Sequence, residues 1–211
     1  MAAGFEANGV NSGDVVGPDP DLDAARAFFA EHGASDWGLR VPTGQPWRAG
    51  RWLLLRRLMV LPREDFRAAP DTPPGLAVRR AGPDDLPAVL HVDSTAFGLD
   101  RVENEQWLRP LLTGDPIVFA LATLDGEVAG TAYTLRTDAA AGACLYVAGV
   151  AVLPEARRRG VASAMSTWLL EQGFAAGAEL AHLNPDSDEA ARLYGRLGFM
   201  ELPGLDVYVD I

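Results

Sequence analysis

The stretch VAVLPEARRRGVASA, residues 150–164, joins an apolar run to a helical pattern through three consecutive arginines. Residues 143–153 are almost wholly apolar, which is typical of a central strand covered on both faces. Residues 160–174 then follow helical spacing. Strand, tight turn and helix therefore follow one another, with the small residues Gly160 and Ala162 at the turn. Because the first N–H groups of a helix lack internal partners, this arrangement predicts a site for an anion.

The arginine run has a simpler interpretation as the solvated start of a helix. Cations are unfavourable at a helix N-terminus, however, so three arginines there favour a bound anion. Two known phosphate-binding motifs are excluded. The chain has no lysine, which a P-loop requires, and it lacks the Gly-x-Gly-x-x-Gly fingerprint of dinucleotide sites.

The composition bounds the class of protein. The chain has 211 residues, a formal net charge of −11 and a sequence pI of about 4.6. An acidic surface repels phosphate backbones, so we expect no nucleic-acid partner. We also expect no membrane span, because no window is long and apolar enough. The one cysteine, Cys144, lies in an apolar run and predicts a core residue in a reducing, cytoplasmic compartment.

The organisation of the chain is predicted from breaks in the hydrophobic pattern. Residues 1–20 are rich in Gly, Asn, Asp and Pro and predict a disordered tail. Residues 21–62 predict an N-terminal extension with a helix at 21–33 and a strand at 51–61. Residues 63–75 contain three prolines and predict a linker. Residues 76–211 predict the main domain.

The main domain shows alternating strand and helix patterns. We expect strands at 76–81, 117–124, 127–136, 143–153 and 179–183, a terminal strand pair at 199–202 and 205–211, and helices at 83–97, 103–112, 160–174 and 186–197. Asp125-Gly126 is a strong hairpin signal. Antiparallel strands followed by a strand-helix-strand-helix unit predict a mixed α/β or α+β sheet with packed helices.

The chain resembles the GNAT superfamily of N-acetyltransferases in two motifs. RRRGVA, residues 157–162, matches the family signature Arg/Gln-x-x-Gly-x-Gly/Ala behind a strand and a proline, and ARLYGRLGF, residues 191–199, matches near the C-terminus. The resemblance extends over residues 76–211. It implies a mostly antiparallel central sheet with helices on both faces and a splayed strand pair that holds acetyl-coenzyme A.

The resemblance also implies which residues hold the co-substrate. The backbone amides of residues 158–163 would bind the pyrophosphate, and the pantetheine would lie along Val150, Ala151 and Val152. The implied cofactor-binding set is Val150, Ala151, Val152, Arg157, Arg158, Arg159, Gly160, Val161, Ala162, Ser163 and Ser187. Ser187 stands where many members have asparagine, and Asn184 is an alternative. Helix capping by Asp186 or Ser187 would explain that position without a ligand.

The resemblance assigns a proton donor and leaves the base open. Tyr194 matches the family tyrosine that protonates the departing thiolate, while its helical face also allows a core tyrosine. The backbone amide at Gly149-Val150 would polarise the thioester carbonyl. Candidate bases are the loop acids Asp100, Glu103 and Glu105. His91 and His182 are more typical of packed or surface histidines, and no cluster predicts a metal.

The sequence thus predicts an acyltransferase that moves an acetyl group from acetyl-CoA to a primary amine of a small molecule or peptide by direct attack. The alternative is a non-catalytic acyl-CoA-binding sensor or interaction module. Two roles stay open for the first 75 residues: completing the acceptor pocket, or forming a homodimer surface.

Overall fold

The computed structural model describes residues 11–70, 72–139 and 142–211 of the chain. Within these residues lie nine strands and five α-helices. The strands are β1 Ser12–Asp14, β2 Gly38–Pro42, β3 Arg51–Pro62, β4 Leu76–Arg80, β5 Ile117–Leu124, β6 Glu127–Ala139, β7 Gly142–Val152, β8 Leu180–Leu183 and β9 Met200–Val209. The helices are α1 Leu22–Glu31, α2 Leu86–Phe97, α3 Arg101–Thr113, α4 Val161–Ala175 and α5 Asp188–Arg196.

Two compact units divide the chain, and they differ from the predicted domains. One unit combines residues 1–58 with residues 201–211, and the other holds residues 59–200. In the first unit β1 pairs parallel with β2, and β2 pairs antiparallel with β9. The start of the predicted disordered tail, residues 1–10, lies outside the described residues, whereas 12–14 form β1. One strand, β9, replaces the predicted terminal pair.

In the unit of residues 59–200, the strands follow the order β3-β8-β7-β6-β5-β4. Adjacent strands are antiparallel except β7 and β8, which are parallel. Asp125 and Gly126 both adopt positive φ and close the β5–β6 hairpin, as the Asp-Gly pair predicts. The mostly antiparallel mixed sheet confirms the predicted fold class.

Helices cover both faces of this sheet, as the alternation along β5 shows. Ala120 and Ala122 pack in a cluster with Met165 and Leu169 of α4. Their neighbours Phe119 and Leu121 pack instead with residues of α2 and α3. Successive side chains of a strand point to opposite faces, so α4 lies on one face and α2 with α3 on the other.

The segment predicted as a linker, residues 63–75, is docked on the core of this unit where it is described. Its Phe66 ring lies 5.5 Å from that of Phe174 in α4. The Ala69 amide donates to Oγ1 of Thr167 at 3.1 Å, and the Arg67 amide donates to the carbonyl of Leu197 at 3.1 Å. The prolines keep the backbone irregular, but the aromatic side chain and the amides fix it on the helices. No helix in the described part of the chain is long and apolar enough to cross a membrane.

Candidate active site

Strand β7 carries a bulge and a free edge. In its register with β6, Tyr133 stands opposite Ala148 and Thr131 opposite Ala151, so two residues of β7 face one of β6. Gly149 within this bulge has a φ of +57°, and a Cβ there would lie 2.5 Å from the Tyr133 ring. A bulge leaves backbone groups out of the ladder and redirects them. The Gly149-Val150 backbone is therefore available to a ligand.

The edge of β7 opposite β6 is paired only at its start. Its parallel register with β8 runs from Cys144↔Leu180 to Tyr146↔His182, while β7 itself continues to Val152. This departure of β7 from β8 is the splayed strand pair that the sequence predicts. Beyond Tyr146 this edge of β7 has no strand partner among the described residues, and Val150, Ala151 and Val152 line a cleft.

The N-terminus of α4 closes one end of the cleft. Residue Gly160, with a φ of +79°, is the N-cap and supplies no side chain to cap the helix. The first hydrogen bond of the helix runs from the Ala164 amide to the Gly160 carbonyl at 3.0 Å. The amides of residues 161–163 therefore have no acceptor within the helix, and they carry its partial positive charge.

The three arginines before α4 have different partners. Arg157 donates through Nε to the Val152 carbonyl at 3.2 Å, which fastens the turn to the end of β7. Arg159 pairs through Nη2 with Oδ2 of Asp125 at 3.0 Å. Arg158 forms no ion pair within the described residues, and its φ of +61° is a strained left-handed conformation for a side chain with a Cβ. Strain held next to an open cleft is typical of functional sites.

A cleft of about 900 Å³ joins these features. Of the predicted cofactor-binding residues, it is lined by Val150, Ala151, Val152, Arg157, Arg158, Gly160, Val161, Ala162, Ser163 and Ser187. Sequence reasoning missed Arg192 and Arg196 of α5, which also line it, together with Ala96 and Phe97 at the end of α2. The two α5 arginines are four residues apart, a helical spacing that was visible in the sequence. They add positive charge to the cleft wall.

Helix α5 places Ser187 and Tyr194 differently. Ser187 is the N-cap of the helix and accepts a hydrogen bond from the Ala190 amide at 3.2 Å while also lining the cleft. Tyr194 is 8% exposed and packs edge-on against Phe199 in a core cluster, behind the cleft wall. The N-terminal turn of α5 therefore lines the cleft, whereas Tyr194 packs in the core.

The Tyr194 hydroxyl has a raised pKa, mainly because burial disfavours the phenolate and secondly because the Asp186 carboxylate is near. The nearby Ser166 hydroxyl lowers the pKa of Tyr194 and so opposes this shift. The two hydroxyls do not reach hydrogen-bond geometry, because Ser166 Oγ is buried without a hydrogen-bond partner among the described residues. The phenol is thus fully protonated at neutral pH. A protonated hydroxyl is the form that a proton donor needs.

A second cavity, of about 650 Å³, lies on the outer side of the α4 N-terminus. One wall is the docked segment around Ala69 and Pro73, and the other is the face of α4 that carries Thr167 and Trp168. Both cavities share Gly160, Ser163 and Arg196 in their walls. The α4 N-terminus is therefore accessible from two sides.

The three predicted base candidates have local structural roles. Asp100 caps α3 by accepting from the amides of Val102 and Glu103, at 2.9 and 3.1 Å. Glu105 pairs with Arg109 one helical turn away. Glu103 is exposed. None of the three lines the cleft.

The sequence analysis missed a buried carboxylate on α2. Asp93 is 6% exposed, and its Oδ1 accepts a hydrogen bond at 2.8 Å from Nδ2 of Asn104, which is 4% exposed. Desolvation raises the pKa of Asp93, and the Asn104 hydrogen bond partly opposes that rise. The sequence signal that could have identified this residue is an acidic side chain within the apolar helical pattern of residues 86–97. The described residues hold no cluster of His, Cys and acids that could bind a metal.

Comparison with known proteins decides what this site belongs to. Residues 86–199 match the model of the acetyltransferase (GNAT) family, a span that covers both the bulged strand and the α4 N-terminus. The chain belongs to the GNAT family. It is therefore an acyltransferase, and acetyl-CoA is its co-substrate.

Solved structures show the same fold. A GCN5-related N-acetyltransferase from Kribbella flavida is 24% identical with a TM-score of 0.65, over 89% of this chain and 72% of that one. A GNAT-family acetyltransferase structure from Novosphingobium aromaticivorans is 21% identical with a TM-score of 0.57, over 82% and 72% of the two chains. An acetyltransferase structure with acetyl-CoA from Clostridium acetobutylicum is 17% identical with a TM-score of 0.52, over 60% and 91%. Comparison with curated proteins gives no significant match.

The residues present in this chain fit the diphosphate of acetyl-CoA. Amides 161–163 lack acceptors within α4, Arg158 lacks an ion-pair partner among the described residues, and Gly160 has no side chain over the helix end. A Cβ at Gly160 would lie 2.9 Å from Cγ of Pro73, so the helix end has little room for a larger residue. The donor set consists of N–H groups and guanidinium, which suit phosphate oxygens.

Proposed function

We propose that the protein transfers the acetyl group of acetyl-CoA to a primary amine, of a small molecule or a peptide, by direct attack of the amine on the thioester. The observation that carries this proposal is the uncapped N-terminus of α4 beside the free edge of β7. Helix amides are suited to a diphosphate, and an unpaired strand edge is suited to the amide groups of pantetheine. Together they support a position for the thioester near the β7 bulge.

The donor side of the reaction uses backbone groups. The amides of residues 161–163 and the Arg158 guanidinium bind the diphosphate, and residues 150–152 pair with the pantetheine. The redirected backbone N–H at Gly149-Val150 donates to the thioester oxygen, where negative charge develops as the amine attacks. Because these donors are fixed before the ligand binds, little reorganisation is needed.

The departing sulfur needs a proton, and we propose that Tyr194 supplies it. Attack forms the C–N bond and breaks the C–S bond, so the amine nitrogen loses one proton and the sulfur gains one. Tyr194 is protonated at neutral pH because its pKa is raised. Leu193 and Ala190 on the same helix line the cleft, and so does Asp186, whose charge acts on the Tyr194 hydroxyl.

Release of free thiol from acetyl-CoA, measured with a panel of primary amines, tests the proposal. We expect amine-dependent thiol release and a product heavier by one acetyl group. Tyr194→Phe should lower kcat by about 10-fold or more with an unchanged Kd for acetyl-CoA, since general acid catalysis contributes at least about this much. Tyr208→Phe, which removes a hydroxyl in the other compact unit, is the matched control.

Two results would contradict these assignments separately. An unchanged kcat in Tyr194→Phe would make Tyr194 a packing residue and leave the reaction in place. Tight binding of acetyl-CoA without acetyl transfer to any amine would contradict the reaction itself and favour an acyl-CoA-binding module. The contribution of residues 1–75 to an acceptor pocket or a homodimer, and the cytoplasmic location, stay predictions.

A further inference from the structure

The buried carboxylate of Asp93 lies on the face of the sheet that α2 covers, close to the β7 bulge. Its neighbour Val92 packs with Ala151 of β7 and with Leu153, the residue after that strand. One turn further along α2, Ala96 and Phe97 line the cleft. Asp93 does not itself line the cleft, but it lies along α2 between Val92, which packs on β7, and Ala96 and Phe97, which line the cleft.

The link from Asp93 to the bulge runs through Tyr133. The Asp93 charge contributes to the raised pKa of Tyr133, about 12, behind the larger effect of burial and that of Tyr146. The Tyr133 ring in turn covers Gly149, where a Cβ would lie 2.5 Å from a ring carbon. Tyr133 also packs against the apolar cluster that includes Val89 and Leu90 of α2. Tyr133 thus lies between Gly149 and the helix that carries Asp93, on one face of the sheet.

Asp93 has an acceptor oxygen to spare. Asn104 Nδ2 donates to Asp93 Oδ1 at 2.8 Å and to Ser94 Oγ at 3.0 Å. The second oxygen, Oδ2, accepts no hydrogen bond from the described residues, and burial and Asn104 alone shift the pKa of this carboxyl, with no contribution from a cation. Oδ2 is not fully enclosed by protein atoms, so a donor or a cation can reach it.

The groups that face Asp93 from neighbouring elements are an amide and aromatic side chains. They are Asn104 on α3, Tyr133 on β6 and, beyond it, Tyr146 on β7, whose ring stacks on His182 of β8 with centroids 5.0 Å apart. Aromatic rings and a carboxylate form a suitable environment for an alkylammonium ion. They do not suit an anion.

We propose that Asp93 binds the acceptor amine as a cation and removes its proton, with Asn104 as a positioning residue that holds the carboxylate. This inference rests on the proposed acetyl transfer and names its acceptor class, an alkylammonium ion. The alkylammonium nitrogen loses two protons on its way to the amide. The first goes to Oδ2 of Asp93 before the attack, and the second goes to water as the new C–N bond forms. The C–S bond breaks, and the sulfur takes the proton that Tyr194 donates. Exchange with water then returns both side chains to their starting states.

Two measurements on the full-length protein test the proposal. The first is kcat/KM for butylamine, benzylamine and spermidine in wild type, in Asp93→Asn and in the control Asp84→Asn, which removes an exposed carboxylate just before α2. We expect Asp93→Asn to lose about 100-fold or more, as for a removed general base, with an unchanged Kd for acetyl-CoA. Asp84→Asn should retain wild-type kcat/KM and Kd.

The second measurement follows the carboxyl ¹³C signal of Asp93 in wild type during pH titrations, with butylammonium or with butanol present. Butylammonium should lower the pKa of Asp93 because an opposite charge favours the carboxylate, and butanol should not. This readout needs no turnover. It also stays informative if Asp93→Asn fails to fold.

The outcomes separate the two proposals. In the first outcome, amines are acetylated, Asp93→Asn keeps the wild-type kcat/KM, and butylammonium does not change the pKa of Asp93. The Asp93 assignment is then overturned, and the reaction stands. If no amine is acetylated but butylammonium lowers the pKa of Asp93, the cation site stands and the reaction is overturned. If neither response occurs, both are overturned.

Discussion

The two sides of strand β7 differ in the chemical groups that they present, which are backbone groups on one side and side chains on the other. The donor side, residues 149–163, consists of backbone: a bulge, a free strand edge and an uncapped helix end. The proposed acceptor side consists of side chains that come from separate elements, namely Asp93, Asn104 and Tyr133. One side is local in the chain and the other is assembled by the fold.

This difference determines what each side tolerates. A backbone cradle is insensitive to most side-chain changes but is destroyed where a side chain enters the space of the ligand or the φ angle requires glycine. A side-chain cluster depends on the identity of each member, because a buried carboxylate without its partner is costly. Variants on the donor side should therefore affect the affinity for acetyl-CoA. Variants on the acceptor side should affect the pH dependence and the rate.

The largest expected effect is at Gly160. Replacement by valine places a branched side chain at a φ of +79° and within 2.9 Å of Pro73, at the helix end that we propose binds the diphosphate. We expect Gly160→Val to raise the Kd for acetyl-CoA by about 100-fold or more, which corresponds to about 3 kcal/mol. Isothermal titration calorimetry measures this directly.

Gly177 provides the matched control for backbone strain. It has a φ of +92° just after α4, and a Cβ there would meet nothing within 4 Å. Gly177→Val should therefore lower the melting temperature, as Gly160→Val should, but it should leave the Kd for acetyl-CoA unchanged. Equal Kd values in the two variants would show that the donor side is not a backbone cradle at Gly160.

The next effect is at Arg158, where strain and charge can be separated. Arg158→Ala removes the unpaired guanidinium and should raise the Kd for acetyl-CoA by about 10-fold at low salt, with less effect at high salt. Arg158→Gly should raise the Kd equally but increase the melting temperature relative to Arg158→Ala, because glycine tolerates a φ of +61°.

Arg159→Ala is the control for charge within the same turn. Arg159 is exposed and already pairs with Asp125, so its loss should change the Kd by less than about threefold. A larger effect for Arg159 than for Arg158 would mean that the guanidinium of Arg159 leaves Asp125 for the diphosphate.

The local character of the donor side explains why sequence alone predicts it. The apolar run of β7, the small residues at 160 and 162 and the helical pattern after them are consecutive, so the strand, turn and helix were all predicted with small errors at their ends. The sequence could not show which of the three arginines is left without a partner among the described residues and is therefore available to a ligand. Their partners, Val152 O and Asp125 Oδ2, are fixed by the tertiary arrangement of the turn against neighbouring strands.

Two other features lay beyond the sequence for the same reason. Asp93 sits in a helix pattern where a polar residue is ordinarily solvated, and only the packing of α3 through Asn104 makes it buried. The prolines at 70–74 predict a linker, yet Phe66 and the Ala69 amide dock that segment on α4. In both cases the deciding contact joins residues distant in the chain, which local patterns do not encode.

The smallest expected effect, and the one that tests the acceptor side most finely, is at Asn104. Asn104→Leu removes the donor that favours the ionised form of Asp93, so the pKa of Asp93 should rise further above its ordinary value. If Asp93 is the base, the fall of kcat/KM on the acid side should begin at a higher pH than in wild type, with values within a few-fold of wild type at high pH. A pH profile of both proteins measures this shift.

The stability of the same variant has a defined sign. A carboxyl group whose pKa is higher in the folded state binds its proton more tightly there, so stability falls as pH rises from the ordinary Asp pKa of 3.8 through the raised value. Asn104→Leu should widen that window and lose more stability at neutral pH, by about 1–3 kcal/mol for the unpaired buried acceptors. Gln106→Leu, on the exposed side of α3, should show neither change. A profile that keeps the wild-type acid limb while stability falls would make Asn104 a structural residue only, because a purely structural hydrogen bond would not move the pH dependence of the reaction.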